Sequence, residues 1–324
     1  MKRWLVLPVL FLSVVFLNSC LDLEDDHAEE ERIRIEAYLK LSPLQYEKQQ
    51  SGIYYCNLDA GAGSKPVNGD FVLFSYVGRL LNGKIFDTNY KDTAVAYEMY
   101  YKGRNYTPLY TPLLNPNYPT RRLVVGLEEG LKLIREGDRA SFIIPYSLGY
   151  GGLTMSGIPG YSPLLFDVKL ERVISDPVAY ETEVLANYIS ENYPELAPTV
   201  DGIYYISQQE GEGDAVTDNQ AVSVNYSAYF LNGFCFFTTV KSVAELNGIY
   251  SSSNTYEPLK MTVGSSSIIK GLSYTVKYMK KGGKARVIVP SASAFGEYGN
   301  NIVTPYTPIV LEVELVETES SESK

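Results

Sequence analysis

Runs such as Val72-Leu73-Phe74-Ser75-Tyr76 and Val222-Ser223-Val224-Asn225-Tyr226 carry apolar residues at alternate positions. They read as strands with one buried face, because successive side chains of a strand point to opposite sides. Each run leads to an Asn-Gly pair, Asn82-Gly83 and Asn232-Gly233, which supplies the turn of a tight hairpin. A helical spacing marks other segments: Ile35, Tyr38 and Leu39 within Glu31–Leu41, and Val184, Leu185, Tyr188 and Ile189 within Tyr180–Tyr193. Two shorter helices are predicted between glycines, Gly126–Gly137 on Leu127, Leu131 and Ile134, and Gly271–Gly282 on Leu272, Val276 and Met279. Further strands are expected over 139–145 and 164–173, and over 285–290 and 309–316.

These elements recur in the same order because the chain repeats itself. Gly52-Ile53-Tyr54-Tyr55, Tyr76, Leu81-Asn82-Gly83 and Phe86 return 150 residues later as Gly202-Ile203-Tyr204-Tyr205, Tyr226, Leu231-Asn232-Gly233 and Phe236. Gly126-Leu127, Pro145 and Leu170 return as Gly271-Leu272, Pro290 and Leu315 at an offset five residues shorter. Two homologous units are therefore expected, each ordered as a leading helix, strands, one short helix and strands. That order predicts an α+β fold, a twisted antiparallel sheet wrapped over the short helix in each unit.

Composition narrows the chemistry. A net charge of −10 with no Lys/Arg cluster in the mature chain gives polyphosphate no footprint, so no nucleic-acid partner is expected. One histidine, His27, and three cysteines leave little for a metal site or a nucleophilic dyad, so no cofactor and no metal are expected. Cys56 and Cys235 fall in different units and read as small core residues. Catalysis, if present, must draw on carboxylate, phenol, backbone and shape.

The amino terminus reads as an export signal. Lys2 and Arg3 precede an apolar run from Trp4 to Phe16, shorter than a membrane-spanning helix requires. Leu17-Asn18-Ser19-Cys20 then resembles a bacterial lipobox, which implies acylation of Cys20 and a membrane held through lipid. The alternative is an ordinary cleaved signal with an incidental cysteine. The acidic residues that follow are expected as a solvated tether over 21–29, and they also resemble the surface-export tags of some Gram-negative lipoproteins. The expected location is the envelope of such a bacterium, held by lipid at its outer membrane, with the periplasmic or surface face left open.

The first unit carries an ordered set of separated motifs: Gly69-Asp70, Tyr76-Val77-Gly78, Phe86-Asp87, Val124-Val125-Gly126-Leu127-Glu128-Glu129-Gly130-Leu131, Ile144-Pro145, Leu148-Gly149-Tyr150-Gly151, Ile158-Pro159 and Leu165-Phe166-Asp167-Val168. This set resembles the FKBP-type peptidyl-prolyl isomerases along nearly the whole unit. The resemblance implies an apolar proline cleft at Tyr76, Phe86, Val124, Leu127, Ile158 and Phe166, with polar roles at Asp87 and Tyr150, and proline-containing polypeptides as substrates. Leu127 stands where members with high affinity for macrolides often have tryptophan. Taken singly, Phe86, Val124, Leu127 and Phe166 read equally as core, Asp87 as a turn residue and Tyr150 as one of 28 tyrosines.

The second unit departs from that set, with Phe237 at the acid position, Phe295 at the tyrosine and Val303-Thr304 in place of Ile-Pro. It reads as a non-catalytic module. The expected organisation is a leader over 1–20, the tether, a first unit over 30–175 with a tyrosine-rich insertion at 88–122, a second unit over 176–317 and a disordered tail over 318–324. The expected function is an exported prolyl isomerase or isomerase-chaperone. The alternatives are a non-enzymatic binding lipoprotein built from the same domains, and a structural part of a surface complex.

Overall fold

The computed structural model describes residues 22–114 and 123–318. The export signal with Cys20, Tyr118 of the tyrosine-rich segment and the tail beyond Thr318 lie outside the described residues.

Helix α1 (Asp22–Leu41) starts before Glu31, so the stretch expected as a tether is largely helical. Side-chain pairs on the helix support it, since Arg32 binds Glu29 at 2.6 Å and Glu36 at 2.5 Å. The helix is also docked. His27 stacks on Tyr161 with ring centroids 3.8 Å apart, and the Glu31 carboxylate accepts the Tyr146 N–H at 2.5 Å.

A short strand β1 (Glu47–Lys48) leads to β2 (Tyr54–Asp59), β3 (Phe71–Leu80) and β4 (Ile85–Thr88). After helix α2 (Lys91–Ala96) come β5 (Leu109–Pro112), helix α3 (Val125–Leu133), β6 (Arg139–Ile144) and β7 (Leu164–Ile174). All seven strands form one antiparallel sheet in the order β1-β2-β6-β7-β3-β4, with β5 paired to the first residues of β3.

Phe142-Ile143-Ile144 of β6 and Leu164-Leu165-Phe166 of β7 are buried on both faces of the sheet, which explains these short unbroken apolar runs, while β7 alternates beyond Phe166. In β6, Phe142 and Ile144 face α3 within a core that includes Phe74, Leu131, Leu164 and Leu170. Ile143, between them, packs with Leu165 against Ile35, Tyr38 and Leu39 of α1. The leading helix thus covers the back of the sheet while α3 fills its concave face.

The second half repeats this plan. Helix α4 (Pro177–Asn192) is capped by Asp176, whose carboxylate accepts from Val178 and Ala179 N–H. It is followed by β8 (Tyr204–Gln209), β9 (Ala221–Phe230), β10 (Cys235–Thr238), α5 (Lys241–Asn247), β11 (Leu259–Thr262), α6 (Lys270–Lys277), β12 (Lys284–Val289) and β13 (Ile309–Thr318). The sheet order is β10-β9-β13-β12-β8, with β11 on β9. Glu181 of α4 repeats the role of Glu31, accepting the Ser291 N–H at 2.6 Å. Cys56 and Cys235 are buried free thiols in the two separate sheets.

The tyrosine-rich segment has a counterpart in the second half. Helix α2 matches α5 and strand β5 matches β11, each at the offset of 150. Tyr100 stacks on Tyr106 beneath Lys91, and Tyr250 stacks on Tyr256 beneath Lys241. The five-residue length difference between the halves therefore lies after β5, between residues 113 and 126. Of the tyrosines in this segment, Tyr100 and Tyr106 thus serve a repeated structural element.

Candidate functional site

Strands β3, β4 and β7, helix α3 and a short 3-10 turn at Tyr146–Leu148 meet at one end of the first sheet. There they enclose a cavity of about 180 Å³ lined by Phe74, Tyr76, Asp87, Leu109, Leu123, Val124, Leu127, Tyr150 and Phe166. Leu127 and Phe166, 4% exposed each, close its floor and wall. The 3-10 turn that precedes Tyr150 is tied to α1 through Glu31 and Tyr146, so the leading helix helps to place that tyrosine.

Asp87 is held on three sides. The Tyr76 hydroxyl donates to it at 2.6 Å, the Thr88 N–H donates at 2.9 Å, and Arg104 lies 2.7 Å away. Arg104 also rests over the Tyr106 ring at 5.3 Å. Burial, then the charge of Asp87, pushes the Tyr76 phenol far above its ordinary value of 10. The same two causes, in the same order, raise that of Tyr150. Both phenols therefore stay protonated well above neutral pH. The Tyr150 hydroxyl has no hydrogen-bond partner among the described residues and is free to donate.

Of the eight residues expected at the site, six line this cavity: Tyr76, Asp87, Val124, Leu127, Tyr150 and Phe166. The other two stand behind it. Phe86 meets Phe166 edge to face at 5.6 Å, and Ile158, 5% exposed, belongs to the same apolar cluster. Gly78 makes this packing possible, because a Cβ there would lie 2.8 Å from the Phe86 ring and 3.0 Å from that of Phe166. The sequence reading missed Phe74, Leu109, Leu123 and Arg104. Arg104 had a weak signal, as a basic residue with no basic counterpart at Asn254 in the second unit.

The corresponding cavity in the second half is larger, about 290 Å³, and more apolar. Tyr226, Leu259, Ile268, Ile269 and Leu272 repeat positions of the first cleft. Phe237 replaces the carboxylate and stacks on Tyr226 at 5.1 Å. Phe295 replaces Tyr150 and carries no donor. Asn254 stands where Arg104 would, so acid and base are lost together. Leu311 replaces Phe166, and the smaller side chain leaves room for Ala228 at the position of Gly78.

A family model described as FKBP-type peptidyl-prolyl cis-trans isomerase matches residues 62–171 and 213–316, more than half of the chain. Peptidyl-prolyl cis-trans isomerase FKBP10 of Mus musculus is 28% identical over 286 residues, covering 87% of this chain and 40% of that protein. FKBP-type peptidyl-prolyl cis-trans isomerase FkpA of Escherichia coli strain K12 is 32% identical over 158 residues, covering 48% of this chain and 51% of that one. The crystal structure of FkpA from Escherichia coli aligns at 29% identity with a TM-score of 0.36, covering 48% of this chain and 65% of that one. The chain thus spans two-fifths to one-half of the length of the curated relatives named here.

Proposed function

The chain belongs to the FKBP-type peptidyl-prolyl cis-trans isomerase family, and from that premise we propose that its first unit isomerises X-Pro bonds in polypeptides while its second unit binds apolar segments without turning them over. The observation that carries this reading is the difference between the two clefts. Only the first pairs an apolar pocket with a held carboxylate and a phenol free to donate. The unit limits we propose are 30–175 and 176–317.

The chemistry asks little of the protein. Rotation about an X-Pro bond is opposed by a barrier of about 18–20 kcal/mol, which reflects amide resonance lost at the twisted geometry. The twisted imide is less conjugated and less polar than either planar form. A pocket floored by Leu127 and Phe166 holds the proline ring and strips water from the imide, favouring the twisted form. The Tyr150 hydroxyl donates to a substrate carbonyl, and Asp87, fixed by Tyr76 and Arg104, orients the polar edge of the cleft.

This reading predicts the pH dependence. Because both phenol values are raised, the donor form of Tyr150 is present below its ordinary pKa of about 10 and is lost only as pH climbs past the raised value. Acceleration of a short X-Pro peptide by the chain from residue 21 onward should be flat from about pH 6 to 9. A fall across that interval, with the fold intact by circular dichroism, contradicts the assigned role of Tyr150. No acceleration at any pH contradicts the isomerase reading.

We further propose that the chain is exported and anchored through acyl chains on Cys20, the reading supported by the order of basic residues, apolar run and Leu-Asn-Ser-Cys in the sequence. Cys20→Ser should move the protein from the detergent phase to the aqueous phase on Triton X-114 partition. Partition unchanged from the parent would remove the lipid anchor from this account.

A further inference from the structure

A groove of about 450 Å³ is lined by residues of both units and shares a wall residue with each cleft. Leu109 lines the groove and also the first cleft, while Ile302 lines the groove and also the second. The units are fastened beside it. Tyr110 packs on Phe71 at 5.1 Å and on Tyr180 at 5.6 Å, Phe71 meets Tyr306 at 5.9 Å, and Asn232 donates to Asn105 at 2.9 Å.

We propose that one unfolded polypeptide lies along this track, its proline in the first cleft, its backbone in the groove and a second apolar side chain, aliphatic or aromatic, in the second cleft. The first-cleft assignment rests on the isomerase reading above; the second pocket and the groove are argued from their own geometry.

The lining selects an unfolded chain. Each end of the track is a pocket deep enough for a side chain, with floors at Leu127 and Leu272 that are 4% and 1% exposed. A small molecule fills one pocket, and a folded surface reaches neither floor. Between the pockets, the groove mixes apolar residues such as Val184 and Phe230 with the Thr107 hydroxyl and the Asn105–Asn232 pair, which spends one amide N–H and one carbonyl oxygen on each other and leaves the rest of both amides to a peptide backbone. These are groups that match a peptide backbone. Glu181, the carboxylate on the lining, is engaged by the Ser291 N–H and hydroxyl. The groove therefore discriminates little by substrate charge, as suits unfolded chains of varied sequence.

Two anchors on one chain convert the second contact into an intramolecular one, with a gain that depends on the linker matching the span. The test is fluorescence anisotropy with the chain from residue 21 onward and three labelled probes: a short X-Pro peptide, a short phenylalanine peptide, and the two joined by Gly-Ser spacers of graded length. The joined peptide should bind at least about tenfold more tightly than either part at one optimal spacer length, and Ile302→Asp should abolish that gain. Affinity no better than the stronger part at every spacer, or a gain untouched by Ile302→Asp, overturns the track. Tight binding of the joined peptide without acceleration of X-Pro exchange supports the track and overturns the isomerase reading alone.

Discussion

Asp87→Ala should lower kcat/KM for a short X-Pro peptide by about ten- to a hundredfold, the equivalent of one lost charge-assisted contact network worth about 1.5–3 kcal/mol. The carboxylate is the point where three groups converge: the Tyr76 hydroxyl, the Thr88 N–H and Arg104. Without it, Arg104 keeps only its place over Tyr106 and its weak approach to the Tyr76 hydroxyl at 3.5 Å. The polar edge of the cleft then loses its orientation, and the apolar pocket alone remains. Asp87→Asn keeps the shape and should lose less. Both carboxylate and guanidinium are partly exposed, so solvent screening limits the effect on stability and the loss should be read in turnover. Activity of Asp87→Ala within about twofold of the parent would show that the pocket works without its acid.

Gly126→Ala should destabilise the first unit by about 2–3 kcal/mol and impair turnover with it. Helix propensity argues the other way, since alanine is favoured over glycine by about 1 kcal/mol in a helix interior and by less in the first turn of α3, where Gly126 lies. Contact distance decides the sign. A Cβ at Gly126 would stand 2.4 Å from Ile144 Cγ2, and Ile144 is fully buried in β6. Helix α3 must then lift from the sheet, carrying with it Leu127 and Val124, which line the cleft. Thermal unfolding of Gly126→Ala, Ile144→Ala and the double variant forms the check. The double variant should be more stable than the sum of the single losses implies, because Ile144→Ala removes the clashing atoms. Simple additivity would mean that the helix is not seated as described.

The repeat and the main strands were legible because each left a periodic mark. Asn-Gly turns announced the hairpins, with Gly83 and Gly233 at φ of +88° and +84°, and the glycine-bounded helices α3 and α6 showed apolar residues at helical spacing. The elements that escaped left no such mark. Helices α2 and α5 bury a single residue each, Ala94 and Ala244, and one buried position has no period. The start of α1 was hidden because its acidic residues read as a solvated tether. The docking of His27 on Tyr161 and of Glu31 on the Tyr146 N–H depends on partners that only folding brings close.

The same distinction holds at the cleft. Residues inside motifs, such as Asp87 and Leu127, were found from the order of the motifs. Leu109 and Arg104 were not, because they enter from a segment whose place beside β3 depends on β5 pairing. Arg104 meets Asp87 across 17 positions of chain, and that separation falls outside any local spacing rule. The loss of both Asp87 and Arg104 in the second half, as Phe237 and Asn254, becomes intelligible only once the pair is seen.

The most direct test of turnover in the first unit is exchange spectroscopy by NMR on a short X-Pro peptide, with catalytic amounts of the isotope-labelled chain from residue 21 onward. The account predicts accelerated cis–trans exchange, against an uncatalysed timescale of tens to hundreds of seconds, with peptide-induced shifts at Tyr76, Leu127 and Tyr150. Unchanged exchange in a folded chain that nevertheless shows those shifts would contradict it, and would leave the first cleft as a site that binds proline without turning it.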